Sequence, residues 1–194
     1  MTHHNSQKEL FISENRALSE METYLDAIQA SAANEGPVTM IVSRPDTGKR
    51  HILKQGELDI VHGLVGDNWE HRGDKHTADG SADPGRQLTI MNSRAISAIT
   101  DSKDRWPEAG DQFFVDFDLS EANIPPGTRL AIGEAEVEGT ALPHLGCAKF
   151  GARFGKDANM FVNSDRGKAL NLRGINARVV KAGAVNTGDL IRKL

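Results

Sequence analysis

One cysteine serves the whole 194-residue chain, and its neighbours decide what it can do. Cys147 stands in Pro143-His144-Leu145-Gly146-Cys147-Ala148-Lys149-Phe150. Pro143 stops a preceding strand, Gly146 permits a sharp turn, and residues 148–154 can wind as about two helical turns, which places Cys147 at a helix N-terminus. Backbone N–H groups and the helix dipole favour an anion there. Lys149 and Arg153 follow within two turns, and His144 precedes by three residues. Each such cation or dipole lowers a thiol pKa from its free value of roughly 8.5 toward neutrality. The thiolate is the nucleophile and the soft metal ligand, so Cys147 is the candidate for sulfur or metal chemistry. A lone cysteine also suits the role of a small buried hydrophobe, but the flanking Pro, Gly, His and Lys do not read as a buried strand.

Other site chemistries fit less well. Gly146 and Gly151 have the spacing of a phosphate-binding loop, yet Ala152-Arg153 stands where Lys and Ser/Thr are needed. His71 and His76 lie five apart, off any common helical face, and a second cysteine for a structural zinc site is missing. A cysteine protease would need a base and an orienting group, and His144 is the nearest base in sequence.

The elements that must position these residues follow from pattern. Residues 14–33 repeat apolar side chains at spacings of three and four (Leu18, Met21, Leu25, Ile28), with Ser13 as N-cap and Asn34-Glu35-Gly36-Pro37 as a stop, which predicts one amphipathic helix able to pack on the domain or to dock a partner. Beyond Pro37 the period becomes two. Residues 38–43 and 51–54, joined by Arg44-Pro45-Asp46-Thr47-Gly48-Lys49-Arg50, predict a hairpin. Further strands are expected at 87–91, 113–118, 129–132, 135–140, 176–181 and 189–193, with helices at 93–100 and after Cys147. Short strands without regular βαβ alternation disfavour a doubly wound parallel sheet and favour a mainly β, closed or nearly closed barrel with a few short helices. Residues 66–85 are polar and almost free of aliphatic side chains, as expected of a functional or mobile loop.

Composition bounds the class. Hydrophobic content of 38% and charged content of 26% suit one soluble domain, and 5% aromatics leave an aliphatic core. The chain divides into an N-terminal helical extension, 1–37, and a barrel domain, 38–194. No run approaches the roughly 18 apolar residues of a membrane span, and one cysteine with no secretory signal points to a reducing cytoplasm. The formal net charge of −4 hides a split: residues 1–147 carry 13 Lys/Arg against 24 Asp/Glu, and residues 148–194 carry 10 against 3. The basic residues alternate with apolar ones and lack the aromatic interleaving of a nucleic-acid surface, so a confined anion site is expected in the C-terminal quarter.

Several ordered motifs resemble one family. They are Gly110-Asp111 through Asp118-Leu119-Ser120; Asn123-Ile124-Pro125-Pro126-Gly127-Thr128-Arg129-Leu130-Ala131-Ile132-Gly133-Glu134-Ala135; the cysteine segment 143–150; and Leu172-Arg173-Gly174-Ile175-Asn176-Ala177-Arg178-Val179-Val180 with Gly183 and Gly188-Asp189. Upstream, Leu64-Val65-Gly66-Asp67-Asn68-Trp69 and Arg86-Gln87-Leu88-Thr89-Ile90-Met91-Asn92-Ser93-Arg94 join them. Together they resemble the MOSC domain, named for the C-terminal domain of molybdenum cofactor sulfurases, in its small stand-alone bacterial form, over residues 38–194. The resemblance implies a barrel-like β fold. It places the family's signature cysteine at Cys147, which would accept sulfane sulfur as a persulfide from a pyridoxal-phosphate-dependent cysteine desulfurase and pass it to a molybdoenzyme or cofactor acceptor. In related members that hold molybdenum cofactor (molybdopterin), the cysteine is a metal ligand serving reduction of N-hydroxylated compounds. The implied cofactor-binding set is Lys149, Arg153, Arg94, Arg173, Asn92 and His144. The chain carries neither a fused pyridoxal-phosphate domain nor a Schiff-base lysine motif, so that cofactor would belong to a partner protein. The alternative class is a non-enzymatic anion-binding or adaptor module docked through residues 14–33.

Overall fold

Alternation of side chains along three strands, β1, β5 and β6, splits the apolar residues of this chain between two cores. The computed structural model describes residues 15–194. In chain order the strands are β1 (Glu35–Ser43), β2 (His51–Leu53), β3 (Gln55–Asp59), β4 (Gly63–Leu64), β5 (Leu88–Asn92), β6 (Phe113–Val115), β7 (Arg129–Ile132), β8 (Ala135–Gly139), β9 (Ile175–Lys181), β10 (Gly183–Asn186) and β11 (Leu190–Lys193). The α-helices are α1 (Leu18–Glu22), α2 (Leu25–Gln29), α3 (Trp69–Arg72), α4 (Ser93–Ile99), α5 (Ala148–Asn163) and α6 (Asp165–Ala169).

Seven strands close a barrel in the order β11-β7-β8-β9-β5-β6-β1, and β1 pairs back onto β11 through Glu35↔Arg192, Gly36↔Ile191 and Pro37↔Leu190. Neighbours are antiparallel except β5 and β6, which run parallel and are joined by a crossover through α4 and the 3-10 segment Lys103–Ala109. In β5, Leu88 and Ile90 point into the barrel while Met91 points out; in β6, Phe113 and Val115 point in and Phe114 out. In β1, Val38 and Ile41 are inside, and Met40 and Val42 outside. The break of alternation there coincides with a register shift against β6 between Val38 and Met40. The outward residues are covered by α1, α2, α4 and α5, which contribute Met21, Leu25, Ile28, Ile96, Ile99, Phe150, Phe154 and Phe161 to the second core.

The expected hairpin is present as β1–β2, with Ile41↔Leu53 and Ser43↔His51. The expected single helix over 14–33 is instead two short ones, α1 and α2, separated at Thr23 and Tyr24; the Ser13 cap falls outside the described residues. The break lets Met21, Leu25 and Ile28 stay buried against a curved surface. The short helix after Cys147 is longer than expected: residues 148–154 make the two predicted turns, Gly155 breaks the helical path at φ 90°, and winding resumes to Asn163. A three-stranded sheet, β10-β3-β4, went unread because Gln, Glu, Gly and Asp dominate its strands, although Leu58, Leu64 and Val185 join the barrel core. The polar stretch 66–85 contains α3 and leads into the 3-10 turn Pro84–Arg86. Among the described residues, no helix is long and apolar enough to cross a membrane.

Candidate functional site

Cys147 is exposed and occupies the N-cap position of α5 in extended conformation, φ −105° and ψ 176°. The turn before it is fixed from across α5. The Asn163 side chain donates through Nδ2 to the Gly146 carbonyl at 2.9 Å and accepts through Oδ1 from the Gly146 N–H at 3.0 Å. A Cβ at Gly146 would lie 2.4 Å from Asn159 Oδ1 and 2.7 Å from Val162, so only glycine allows this approach. The Lys149 and Phe150 N–H groups at the start of α5 act on Sγ electrostatically, without a closed cap hydrogen bond. Partial burial pushes the thiol pKa up, and the N–H groups of Phe150 and Lys149, followed by the Arg173 guanidinium, outweigh it, leaving the thiol below its ordinary value. Lys149 thus acts on the sulfur through its backbone, and the leading cation is Arg173 rather than the side chains of Lys149 or Arg153.

Cys147 lines a cavity of about 690 Å³ with His144, Lys149, Arg153 and Arg173 of the expected set. Asn92 and Arg94 lie elsewhere. Asn92 Oδ1 caps α4 at the Arg94 N–H, and its Nδ2 donates to Ser31 Oγ and the Phe117 carbonyl. Arg94 pairs with Asp116 at 2.6 Å and donates to the Ala27 carbonyl. Both residues therefore fasten the N-terminal helices to the barrel. They carried no separate signal in sequence because capping and binding polar groups look alike there.

The cavity is far more cationic than the basic C-terminal quarter alone would make it. Arg44, Arg50, Arg72, Lys75 and Arg86, all from the acidic part of the chain, join Lys149, Arg153 and Arg173 on its lining. Meanwhile Arg178, Lys181 and Arg166 of the basic quarter pair with Glu138, Glu136 and Asp26 on the surface. The anion site therefore draws on both parts of the chain and not, as expected, on residues 148–194 alone. The clues were the cations flanking the hairpin turn and the polar stretch 66–85.

Four consecutive carbonyls order the arginines. Pro107 O, at the end of the 3-10 segment Lys103–Ala109, accepts from the Gly110 N–H at 3.1 Å and keeps a second lone pair, and the carbonyls that follow take arginine side chains as donors. Pro107 O accepts from Arg50 Nε at 3.1 Å, Glu108 O from Arg153 Nη1 at 2.6 Å, Ala109 O from Arg173 Nη2 at 2.8 Å and Gly110 O from Arg44 Nη1 at 2.8 Å. Two of these arginines are also neutralised. Arg44 grips Asp67 with both Nε and Nη2 at 2.8 Å, and Arg173 Nη1 meets Asp111 at 2.5 Å. Arg50 and Arg153 have no carboxylate partner among the described residues, and neither do Arg72, Lys75 or Lys149. The lining acids are spent on other cations, Asp46 on Lys49 and Asp74 on Arg86.

Behind this surface lies a charged network. Asp111 is fully buried and joins Arg173 to His144, whose Nε2 is 2.9 Å from its carboxylate. Burial raises the Asp111 pKa, and Arg173 and His144 overcome it, bringing it to about 2. Burial lowers the His144 pKa and Arg173 adds to that, against the opposing pull of Asp111. The contact holds the His144 ring through Nε2 against the buried carboxylate. Arg173 also stacks its guanidinium 4.9 Å from the Phe150 ring centroid.

Comparisons with known proteins give a family from the sequence and a fold from solved structures. The family profile described as MOSC domain matches residues 72–192. The fold is similar to the YuaD protein of Bacillus subtilis, at a TM-score of 0.61 and 17% identity, covering 81% of this chain and 94% of that one. It is also similar to YiiM of Escherichia coli, at 0.53 and 17%, covering 81% and 69%, and to YiiM of Geobacillus stearothermophilus, at 0.52 and 13%, covering 82% and 75%. No curated protein matches the chain.

Proposed function

We propose, from the premise that this chain belongs to the MOSC domain family, that its cavity receives an anionic pterin cofactor of molybdenum and that Cys147 delivers sulfur to that cofactor or ligates its metal. One observation carries this reading: an exposed, thiolate-favouring cysteine on the wall of a cavity with five cations that form no ion pair with a carboxylate among the described residues. The residues suit such a cofactor. A thiolate is a soft donor for a metal centre, and unpaired Arg and Lys suit a phosphate. Lys149 and Arg153 would hold the phosphate-bearing part near Cys147. When bound, the cofactor would supply a metal centre competent to take up sulfur or to exchange electrons.

In the transfer role, the Cys147 thiolate attacks the outer sulfur of a donor's persulfide. The donor S–S bond breaks, the donor thiolate leaves, and no net redox change occurs. The donor in this reading is a separate cysteine desulfurase with its own pyridoxal phosphate. Exposure of Cys147 supports access by such a protein, because the attacking sulfur must approach along the axis of the donor S–S bond.

Two measurements test the reading. Alkylation rate against pH should show a Cys147 midpoint below the roughly 8.5 of a free thiol; a midpoint at or above that value contradicts an activated thiolate. Native mass spectrometry and metal analysis of protein from a host that makes molybdenum cofactor should find either one added sulfur on Cys147 or stoichiometric molybdenum. The first outcome marks the carrier and the second a resident metal site, and a bare thiol with neither overturns the proposal.

A further inference from the structure

The five unneutralised cations come from separate parts of the cavity. Lys149 and Arg153 belong to α5 beside Cys147, whereas Arg72 ends α3 and Lys75 follows it on the 66–85 segment. Arg50 connects them. Its Nη2 and the Arg153 Nη1 both lie within 4 Å of the point where a side chain on Gly110 would begin, 3.8 and 3.9 Å away respectively. Gly110 holds φ at 91°, a conformation suited to glycine, and so keeps that point open. Desolvation lowers the Arg50 pKa, repulsion from Arg153 and Arg44 adds to that, Asp67 opposes it, and Arg72 contributes a smaller repulsion. Asp67 and Asp74 offset part of this repulsion without pairing directly with Arg50 or Arg72, and an anion spanning the cations would relieve the rest.

A single phosphate carries about −1.5 to −2 at pH 7 and is matched by two cations. Lys149 and Arg153 suffice for it, which leaves Arg50, Arg72 and Lys75 unanswered. Resting on the reading that this cavity is the ligand site, we propose that its ligand is a diphosphate ester, with one phosphate on Lys149 and Arg153, the second on Arg72 and Lys75, and Arg50 between them.

The test is calorimetric titration of the whole chain with inorganic pyrophosphate and with orthophosphate at matched ionic strength, and the double variant separates the two-subsite preference from the greater charge of pyrophosphate. Pyrophosphate should bind at least about tenfold more tightly. The double variant Arg72→Gln with Lys75→Gln should bring pyrophosphate to within about threefold of orthophosphate while orthophosphate binding stays as it was. Equal affinity of the two anions for the unaltered chain overturns the proposal, and so does a double variant that weakens both alike. Should the double variant fail to fold, the ratio measured on the unaltered chain decides alone. A chain that prefers pyrophosphate but never carries sulfur or molybdenum on Cys147 would defeat the proposed function and leave this inference standing.

Discussion

At the scale of single residues, the site depends on Asp111 more than on any group that faces the cavity. Its carboxylate is fully buried and is answered by Arg173 on one oxygen and His144 on the other. Asp111→Asn would strand the Arg173 charge in a nearly solvent-free position, and removing one partner of a buried pair costs about 3–5 kcal/mol. Urea denaturation of that variant should show a loss in this range; a loss under about 1 kcal/mol would mean the guanidinium finds other partners. The same network sets a pH dependence whose sign follows from the shifts. The folded pKa of His144 is depressed, so the unfolded chain binds the extra proton, and this part of the stability is complete above roughly 6.5 and is lost as pH falls below it. Asp111 titrates near 2 when folded and near 3.9 when unfolded, so its part is complete above about 4 and disappears as pH falls toward 2. Denaturation midpoints followed from pH 8 to 4 should decline below about 6.5, and His144→Gln should flatten that decline. An unchanged slope in the variant would assign the effect to other histidines.

At the scale of elements, the thiol is placed by a turn and the arginines by a helix end. Gly146 fits because Asn163 holds both of its backbone groups while Asn159 and Val162 leave no room for a methyl. Gly146→Ala should therefore cost about 1–3 kcal/mol through overpacking, and should move the Cys147 alkylation midpoint toward that of a free thiol as the sulfur leaves the N–H groups of Lys149 and Phe150. A variant with the original thiol midpoint would show that the turn only packs and does not position. The sequence made much of this element legible, since Pro, Gly and the following helical spacing placed Cys147 at the start of α5. It did not reveal Asn163 as the clamp, because a contact over 17 residues leaves no local pattern. The ladder of carbonyls from Pro107 to Gly110 was equally hidden: backbone acceptors have no residue code, and the four arginines that use them come from three distant segments. The polar stretch 66–85 did flag itself, through its lack of aliphatic residues, and it supplies Arg72 and Lys75.

At the scale of the whole molecule, closure of the barrel and burial of the helices are one event. Period-two alternation in β1, β5 and β6 was readable as strands, and it is the reason two cores share the same backbone. What pattern alone did not disclose was which strands meet at the seam, because β1 and β11 pair through residues at opposite ends of the described chain. That seam ties the halves together energetically. Ile191 is fully buried inside the barrel, next to Gly36 on one side and Ile132 on the other. Truncating it removes barrel packing worth about 2–5 kcal/mol. Trp106 lies in the other core, between α4 and α5, and packs against Phe114 on the outer face of β6 at a centroid distance of 5.6 Å. If the two cores were independent, Ile191→Ala in a Trp69→Phe background would shift the far-ultraviolet circular dichroism of the strands and spare the Trp106 fluorescence. Because β6 cannot keep Phe114 in place once Phe113 and Val115 lose the barrel interior, both signals should instead shift together, to one lowered urea midpoint. A fluorescence transition left at its original midpoint would separate the barrel from its helical layer.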